Sequence, residues 1–210
     1  MKAELAAFEF SVAEQTAITA AMATAKPWDH ADVSGIRARI KDFHLALNEH
    51  VCCYCQRDLT GEFAMVIDVE HVLPSSKFKA LIFKIWNLSA SCKRCNLKIK
   101  QADVGFLEAF GCLNDSARYK LAHPNFDDVE EHLVRLMQQA GRTRIIKYMV
   151  KTTTKGQYTF DYFRLKELET NSYDEAQGAN QTDPAHASEF ETMRSRVEEL
   201  YAQAATGPNQ

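Results

Sequence analysis

The segment Asp68-Val69-Glu70-His71-Val72-Leu73-Pro74 ends a short apolar run with two carboxylates and an imidazole. Further along, Cys92-Lys93-Arg94-Cys95-Asn96-Leu97-Lys98 is half of a zinc knuckle followed at once by an amide and a lysine. A matching Cys52-x-x-Cys55 lies upstream, and Trp86-Asn87-Leu88 lies between. Carboxylate and amide oxygens are hard ligands that suit Mg²⁺ or Mn²⁺. An imidazole titrates near neutrality and can take a proton from water. A base, oxygen ligands for a cation and a rigid frame are the parts that metal-assisted hydrolysis of a phosphodiester requires.

The frame is read from the cysteines. Cys52, Cys55, Cys92 and Cys95 form two CxxC turns separated by 36 residues. Each turn can present two thiolates to one tetrahedral Zn²⁺, and four thiolates leave no open position, so the site is structural. The long gap must be filled by something folded. Cys53 has the wrong spacing to replace Cys52 and reads as a small packed side chain, and Cys112 reads as core. Six cysteines in a chain without a signal-peptide shape point to a reducing, cytoplasmic setting and bound metal rather than disulfides.

Composition narrows the class further. A hydrophobic content of 46% in 210 residues supports a real core, and no run of 18 apolar residues suggests a membrane span. Net charge is −3, yet its distribution is uneven. Ser75 to Lys100 carries seven cations and no acid, and Gly141 to Gln157 carries five and no acid. A basic block that overlaps the motif fits a polyanion site, with Lys77, Lys98 and Lys100 as candidate phosphate contacts. The alternative for either block is a solvated surface, and it weighs more for the second.

The elements that must position these groups follow from periodicity. Residues 1 to about 30 read as a helix ending before Pro27. Ser34 reads as an N-cap, and Ile36, Ile40, Phe43 and Leu47 form the stripe of an amphipathic helix leading into Cys52. Residues 64–73 and 87–91 read as strands, and Cys92 to about Asp103 as a helix: a ββα unit. Asp128 to Ala140 reads as a helix stopped by Gly141, and 143–163 as a segment containing a strand or two. Ser188 and Glu191 make a capping box for a last helix with Phe190, Met193, Val197, Leu200 and Tyr201 on one side. The expected organisation is a helical segment over 1–48, a zinc-stapled core over 49–103, a helical or mixed extension over 104–170, a linker over 171–187 and an amphipathic helix over 188–205. The class is α+β, mostly helical.

Over about residues 50 to 103 the chain resembles the HNH nuclease family, whose fold is the ββα-metal unit. Asp68-Val-Glu70-His71-Val-Leu-Pro74-x-Ser76 is similar to its first strand, Trp86-Asn87-Leu88 to its middle element, and Cys92-x-x-Cys95-Asn96-x-Lys98 to its helix. The resemblance implies His71 as general base, and Glu70 with Asn96 as ligands of one Mg²⁺ or Mn²⁺. Asn87 would aim His71 through backbone hydrogen bonds. Asp68 shares a strand face with Glu70 and would be a supporting group or an additional ligand. Many members have His where Asn96 stands, which shifts the expected metal preference toward hard cations; the alternative for Asn96 is a helix cap.

A second resemblance lies downstream. His123-Pro124-Asn125-Phe126-Asp127-Asp128, with Glu131-His132-Leu133, is similar to the segment after the HNH unit in nuclease subunits of Septu-type and retron-associated anti-phage systems. It implies a partner ATPase of the ABC or SMC-like class and a nucleic-acid substrate, DNA ahead of RNA. The alternative for His123 and His132 is packing or capping. A rival to the nuclease as a whole is a zinc-knuckle nucleic-acid-binding subunit without catalysis, which needs the cysteines and the basic block but not Glu70, His71 and Asn96 together.

Overall fold

The computed structural model describes residues 2–108, 111–141 and 143–171, together with Thr192, Ser195, Arg196, Glu199, Leu200 and Ala202. Of the linker expected over 171–187, Asn171 belongs to a strand and residues 172–187 lie outside the described residues, as do the Ser188–Glu191 capping box and Phe190, Met193, Val197 and Tyr201 of the last stripe. The chain divides into two compact units, Met1–Val129 and Glu130–Gln210. Both are mixed α+β. No helix among the described residues is long and apolar enough to cross a membrane.

In the first unit the single helix expected over residues 1–30 is broken. A 3₁₀ turn spans Ala3–Ala7, and α1 spans Val12–Met22. Ser11 is the reason for the break. Its backbone N–H donates to Glu14 Oε2 at 2.8 Å while its hydroxyl accepts from the Glu14 N–H at 3.3 Å, a reciprocal cap that starts a new helix. Helix α2 spans Ser34–Leu47, with Val33 at the cap position, so Ser34 belongs to the first turn rather than capping it. Ile36 and Ile40 are buried, as are His44 and Leu45, whereas Phe43 and Leu47 are half-buried. With Ala21, Val33, Ile82, Phe83 and Leu88, the two isoleucines form a core on which Trp28 and Val69 also pack.

Strand β1, Ile67–His71, pairs antiparallel with β2, Leu88–Cys92, in a register that sets Asp68 opposite Ser91 and Glu70 opposite Ser89. Beyond β2 the helix expected to reach Asp103 is shorter and wider. Arg94–Lys100 is a π-helical turn, closed by the Gln101 N–H donating to the Asn96 carbonyl at 2.8 Å. Gln101 then takes φ +51°, a left-handed conformation that ends the turn. Cys112, expected in the core, is exposed, and its thiol donates to Asn114 at 2.9 Å.

The second unit replaces the helix expected over Asp128–Ala140 with a sheet. Strand β3, Leu133–Ala140, pairs antiparallel with β4, Thr143–Val150, which also pairs with β5, Thr170–Asn171. Leu, Met, Gln and Ala favour a helix in isolation, but the β-branched partners on β4 supply a long-range pairing that overrides local preference. Gly141, expected as a helix stop, instead enters the hairpin turn at φ +57°, a conformation glycine adopts without strain. Helix α3, Thr154–Tyr162, is capped by Thr153, whose hydroxyl accepts from Gly156 at 3.0 Å and lies 2.8 Å from His132 Nδ1. A Cβ at Gly156 would meet the His132 carbonyl at 2.2 Å, so only glycine fits.

His44 gives the first unit an acid-sensitive point. Burial, reinforced by the Lys2 ammonium, lowers its pKa from 6.5 to about 4. The unfolded chain therefore takes up this proton as pH falls through 6.5, while the folded chain resists until about pH 4. Stability is complete above the first value and lost progressively toward the second, by on the order of 3 kcal/mol. Urea titrations across pH 7.5 to 4.5 should show this loss, and His44→Leu should flatten the slope.

Candidate active site

The four sulfurs of Cys52, Cys55, Cys92 and Cys95 are buried and lie within 4.8 Å of one another. Cys52 and Cys55 stand on the turn after α2, and Cys92 and Cys95 at the end of β2 and in the π-helical turn. Backbone bonds join the two knuckles: the Cys53 N–H donates to the Ala90 carbonyl at 3.0 Å, and the Cys92 N–H to Cys52 Sγ at 3.3 Å. Burial opposes ionisation of Cys52, but contacts from Cys53, Cys55, Cys92 and Cys95 hold its pKa well below the ordinary thiol value. Cys92 shifts the same way, whereas contacts with the neighbouring cysteines push Cys55 and Cys95 up. The four converging sulfurs form a donor set whose geometry a tetrahedral ion such as Zn²⁺ fits.

His71 closes β1. Its Nε2 lies 3.1 Å from the Ile82 carbonyl, and because a carbonyl only accepts, Nε2 carries the proton and Nδ1 keeps the lone pair. The Trp28 ring meets the imidazole at 4.6 Å and 78°, edge to face. Burial lowers the His71 pKa to about 4, below the near-neutral value expected from sequence, so the ring is neutral at pH 7 and a weaker base than a solvated imidazole. The loop between β1 and β2 is held by Asn87, which is fully buried. Its Oδ1 accepts from the Leu73 N–H at 2.8 Å, and its Nδ2 donates to the carbonyls of Leu73 at 3.1 Å and Leu81 at 3.2 Å. The Val72 N–H donates in turn to the Asn87 carbonyl at 2.9 Å. The loop carrying Ile82 is thereby tied to the segment just after His71.

The oxygen donors fall into two groups. Asn96 Nδ2 donates to Asp68 Oδ2 at 3.1 Å, and the half-exposed Lys93 ammonium lies 2.9 Å from Asp68 Oδ1. Glu70 is fully buried. Its Oε1 accepts from Tyr54 at 3.1 Å and from the Lys100 ammonium at 2.7 Å, while its buried Oε2 has no hydrogen-bond partner. Burial pushes the Glu70 carboxyl above its usual range, and Lys100 and then Tyr54 pull against it. Lys100, read from sequence as a phosphate contact, is only 1% exposed and pairs with Glu70, because an ammonium is buried only where its charge is met. Lys77 and Lys98 are exposed.

Asp68, His71, Asn96 and Lys100 line one cleft of about 710 Å³ with Trp28, Lys93 and the polar side of α2, where Ser34, Arg37 and Lys41 stand. Sequence reasoning missed Trp28, which follows Pro27 beyond the end of the expected first helix and carries no motif of its own. It also missed Arg37 and Lys41, although their spacing of four marks a charged face opposite the apolar stripe. Lys41 caps the carbonyls of Ala64 and Ile67 at 2.9 and 3.0 Å, anchoring the start of β1 to α2.

The chain is similar to the Septu protein PtuB of Bacillus thuringiensis, 27% identical over 130 residues. That alignment covers 61% of this chain and 42% of the relative, so the chain matches less than half of the relative's length. No protein-family model matches the chain, and no solved structure does.

Two stability outcomes follow from this geometry. Cys92→Ser should give protein without bound zinc and without cooperative unfolding, since thiolate sites contribute about 10 kcal/mol or more to folding; metal analysis with calorimetry checks it. Lys100→Met strands a buried carboxylate and should lower stability by about 3–5 kcal/mol, with the Glu70→Gln, Lys100→Met pair recovering part of it. Equal stabilities in thermal melts would show that the pair contributes nothing.

Proposed function

We propose that the chain is a zinc-stapled HNH endonuclease that hydrolyses phosphodiester bonds of nucleic acid, DNA ahead of RNA, using one Mg²⁺ or Mn²⁺. The observation that carries this reading is the His71 imidazole. It is neutral, held at Nε2 by a backbone carbonyl, and set in a cleft beside Asp68, Asn96 and a cationic rim. A nucleophile-activating base needs that combination of fixed tautomer and available lone pair. In the reaction, the water oxygen bonds to phosphorus, the bond from phosphorus to the leaving 3′ oxygen breaks, and the water proton passes to Nδ1 of His71. Asn87 touches none of these atoms; it fixes the loop that supplies the Ile82 carbonyl.

In the cleft, Asp68 and Asn96 present hard oxygen donors side by side and would hold a catalytic cation. Glu70, expected as a ligand, is fully buried, does not line the cleft and is already paired with Lys100, although its Oε2 lacks a hydrogen-bond partner. When bound, such a cation supplies Lewis-acid stabilisation of charge on the phosphoryl group and the leaving oxygen. Arg37 and Lys93 at the rim would attract the phosphate backbone.

The similarity to a Septu protein, together with the His123–Asp128 segment, supports a role as the effector nuclease of an anti-phage defence complex, working beside an ATPase of the ABC or SMC-like class in the cytoplasm. One observation favours a second reading, a zinc-stapled nucleic-acid-binding subunit that does not cut: Lys100 already neutralises Glu70. Plasmid nicking with Mg²⁺ and Mn²⁺, with and without an ABC- or SMC-like ATPase from the same genome, separates the two. Cleavage is expected, and His71→Ala should lower its rate by about 10²–10⁴-fold with zinc content unchanged. Binding without cleavage under every condition would establish the second reading.

A further inference from the structure

We propose that Asn125, outside the cleft and outside the ββα unit, is a positioning residue that aims His71 by clamping the backbone on both sides of Asn87; the inference rests on the nuclease reading above. The Asn125 side chain is fully buried, and its Nδ2 donates to the Trp86 carbonyl at 2.9 Å and to the Leu88 carbonyl at 2.6 Å. Both partners only accept, so the nitrogen must face them, and the two bonds straddle Asn87. Oδ1 of Asn125 is buried without a hydrogen-bond partner, which is unfavourable and marks the residue as held for what its NH₂ does. Aspartate would set an acceptor against two acceptors. Serine could satisfy one carbonyl.

The loop that carries Asn125 is itself rigid. The His123 N–H donates to Asp127 Oδ2 at 2.7 Å, and the Asn125 N–H donates to His123 Nδ1 at 3.1 Å. Phe126 stacks on the His123 ring at 4.0 Å and faces Trp86 at 5.6 Å. From this anchor a chain of contacts reaches the imidazole. Asn125 holds the peptide units around Asn87. Asn87 holds Leu73 and Leu81, and Ile82 beside Leu81 holds Nε2 of His71. No substrate contact is required of Asn125, so its removal acts on turnover rather than on binding.

The test uses the full-length, zinc-loaded protein with Asn125→Ala, Asn125→Ser, Asn87→Ala and the Asn87→Ala, Asn125→Ala pair. Cleavage of a labelled DNA duplex with Mn²⁺ gives kcat and KM, and NMR of ¹⁵N-histidine-labelled protein follows the His71 ring. Asn125→Ala should lower kcat by about 10–100-fold with KM held within about twofold, and Asn125→Ser should fall between it and the parent. The pair should be no more than about twofold slower than Asn87→Ala alone, because both act through one contact chain. The His71 Nε2–H resonance should shift or exchange faster in Asn125→Ala at unchanged zinc content. Parental kcat with an unmoved His71 resonance overturns the proposal, as does full additivity with Asn87→Ala. If Asn125→Ala does not fold, Asn125→Ser decides on the same readouts. If the parent cuts no nucleic acid with or without an added ABC- or SMC-like ATPase, the nuclease reading fails, and the His71 resonance alone decides whether Asn125 aims the imidazole.

Discussion

Everything in the first unit depends on bringing four sulfurs to within 4.8 Å of one another. Residues 52 and 92 are far apart in sequence, and closing such a loop costs chain entropy that a strand pair of five residues cannot offset alone. The thiolate cluster supplies the difference. Once Cys52 and Cys55 meet Cys92 and Cys95, the end of β2 is fixed against the turn after α2, and the Cys53 N–H to Ala90 carbonyl bond ties the first knuckle to the middle of β2. Asp68 of β1 and Asn96 of the π-helical turn are then neighbours, their side chains 3.1 Å apart.

Polar groups buried around this frame do the finer positioning. A peptide loop of sixteen residues between β1 and β2 would ordinarily be the least ordered part of such a unit. Asn87 removes that freedom with three hydrogen bonds to backbone, and each matters because an unmet polar group inside the protein is unfavourable by about 1–3 kcal/mol. Glu70 and Lys100 follow the same logic with full charges. Their pairing is as much a constraint on where the π-helical turn can sit as a source of stability, since either partner alone would be intolerable at that depth.

The sequence makes some of this legible and hides the rest for physical reasons. Thiolates in paired CxxC turns have one common use, so the cluster can be read without coordinates. Strands β1 and β2 can be read because short apolar runs flank turn residues. By contrast, β3 is built from residues that favour helix, and only its pairing with the β-branched residues of β4 makes it a strand; no local signal carries that information. The Lys100–Glu70 pair is hidden for a related reason. A lysine in a basic block reads as surface until the fold shows that a wide turn carries this one inward. Trp28 meets His71 from 43 residues before it, and Asn125 binds the backbone around Asn87 from 54 residues after it, distances at which a single sequence holds no record of contact.

The position of Asn125 has a consequence for how the protein is made. A chain emerging from the ribosome can gather its four thiolates as soon as Cys95 is clear, and N-terminal units fold first during synthesis. The amide that straddles Asn87 emerges thirty residues later. For that interval the nascent chain can hold its cysteine cluster together, but the loop around the His71 imidazole lacks the two Asn125 hydrogen bonds. Gathering of the cysteines and clamping of the loop around His71 are therefore separable in time, with the cysteine frame free to form first.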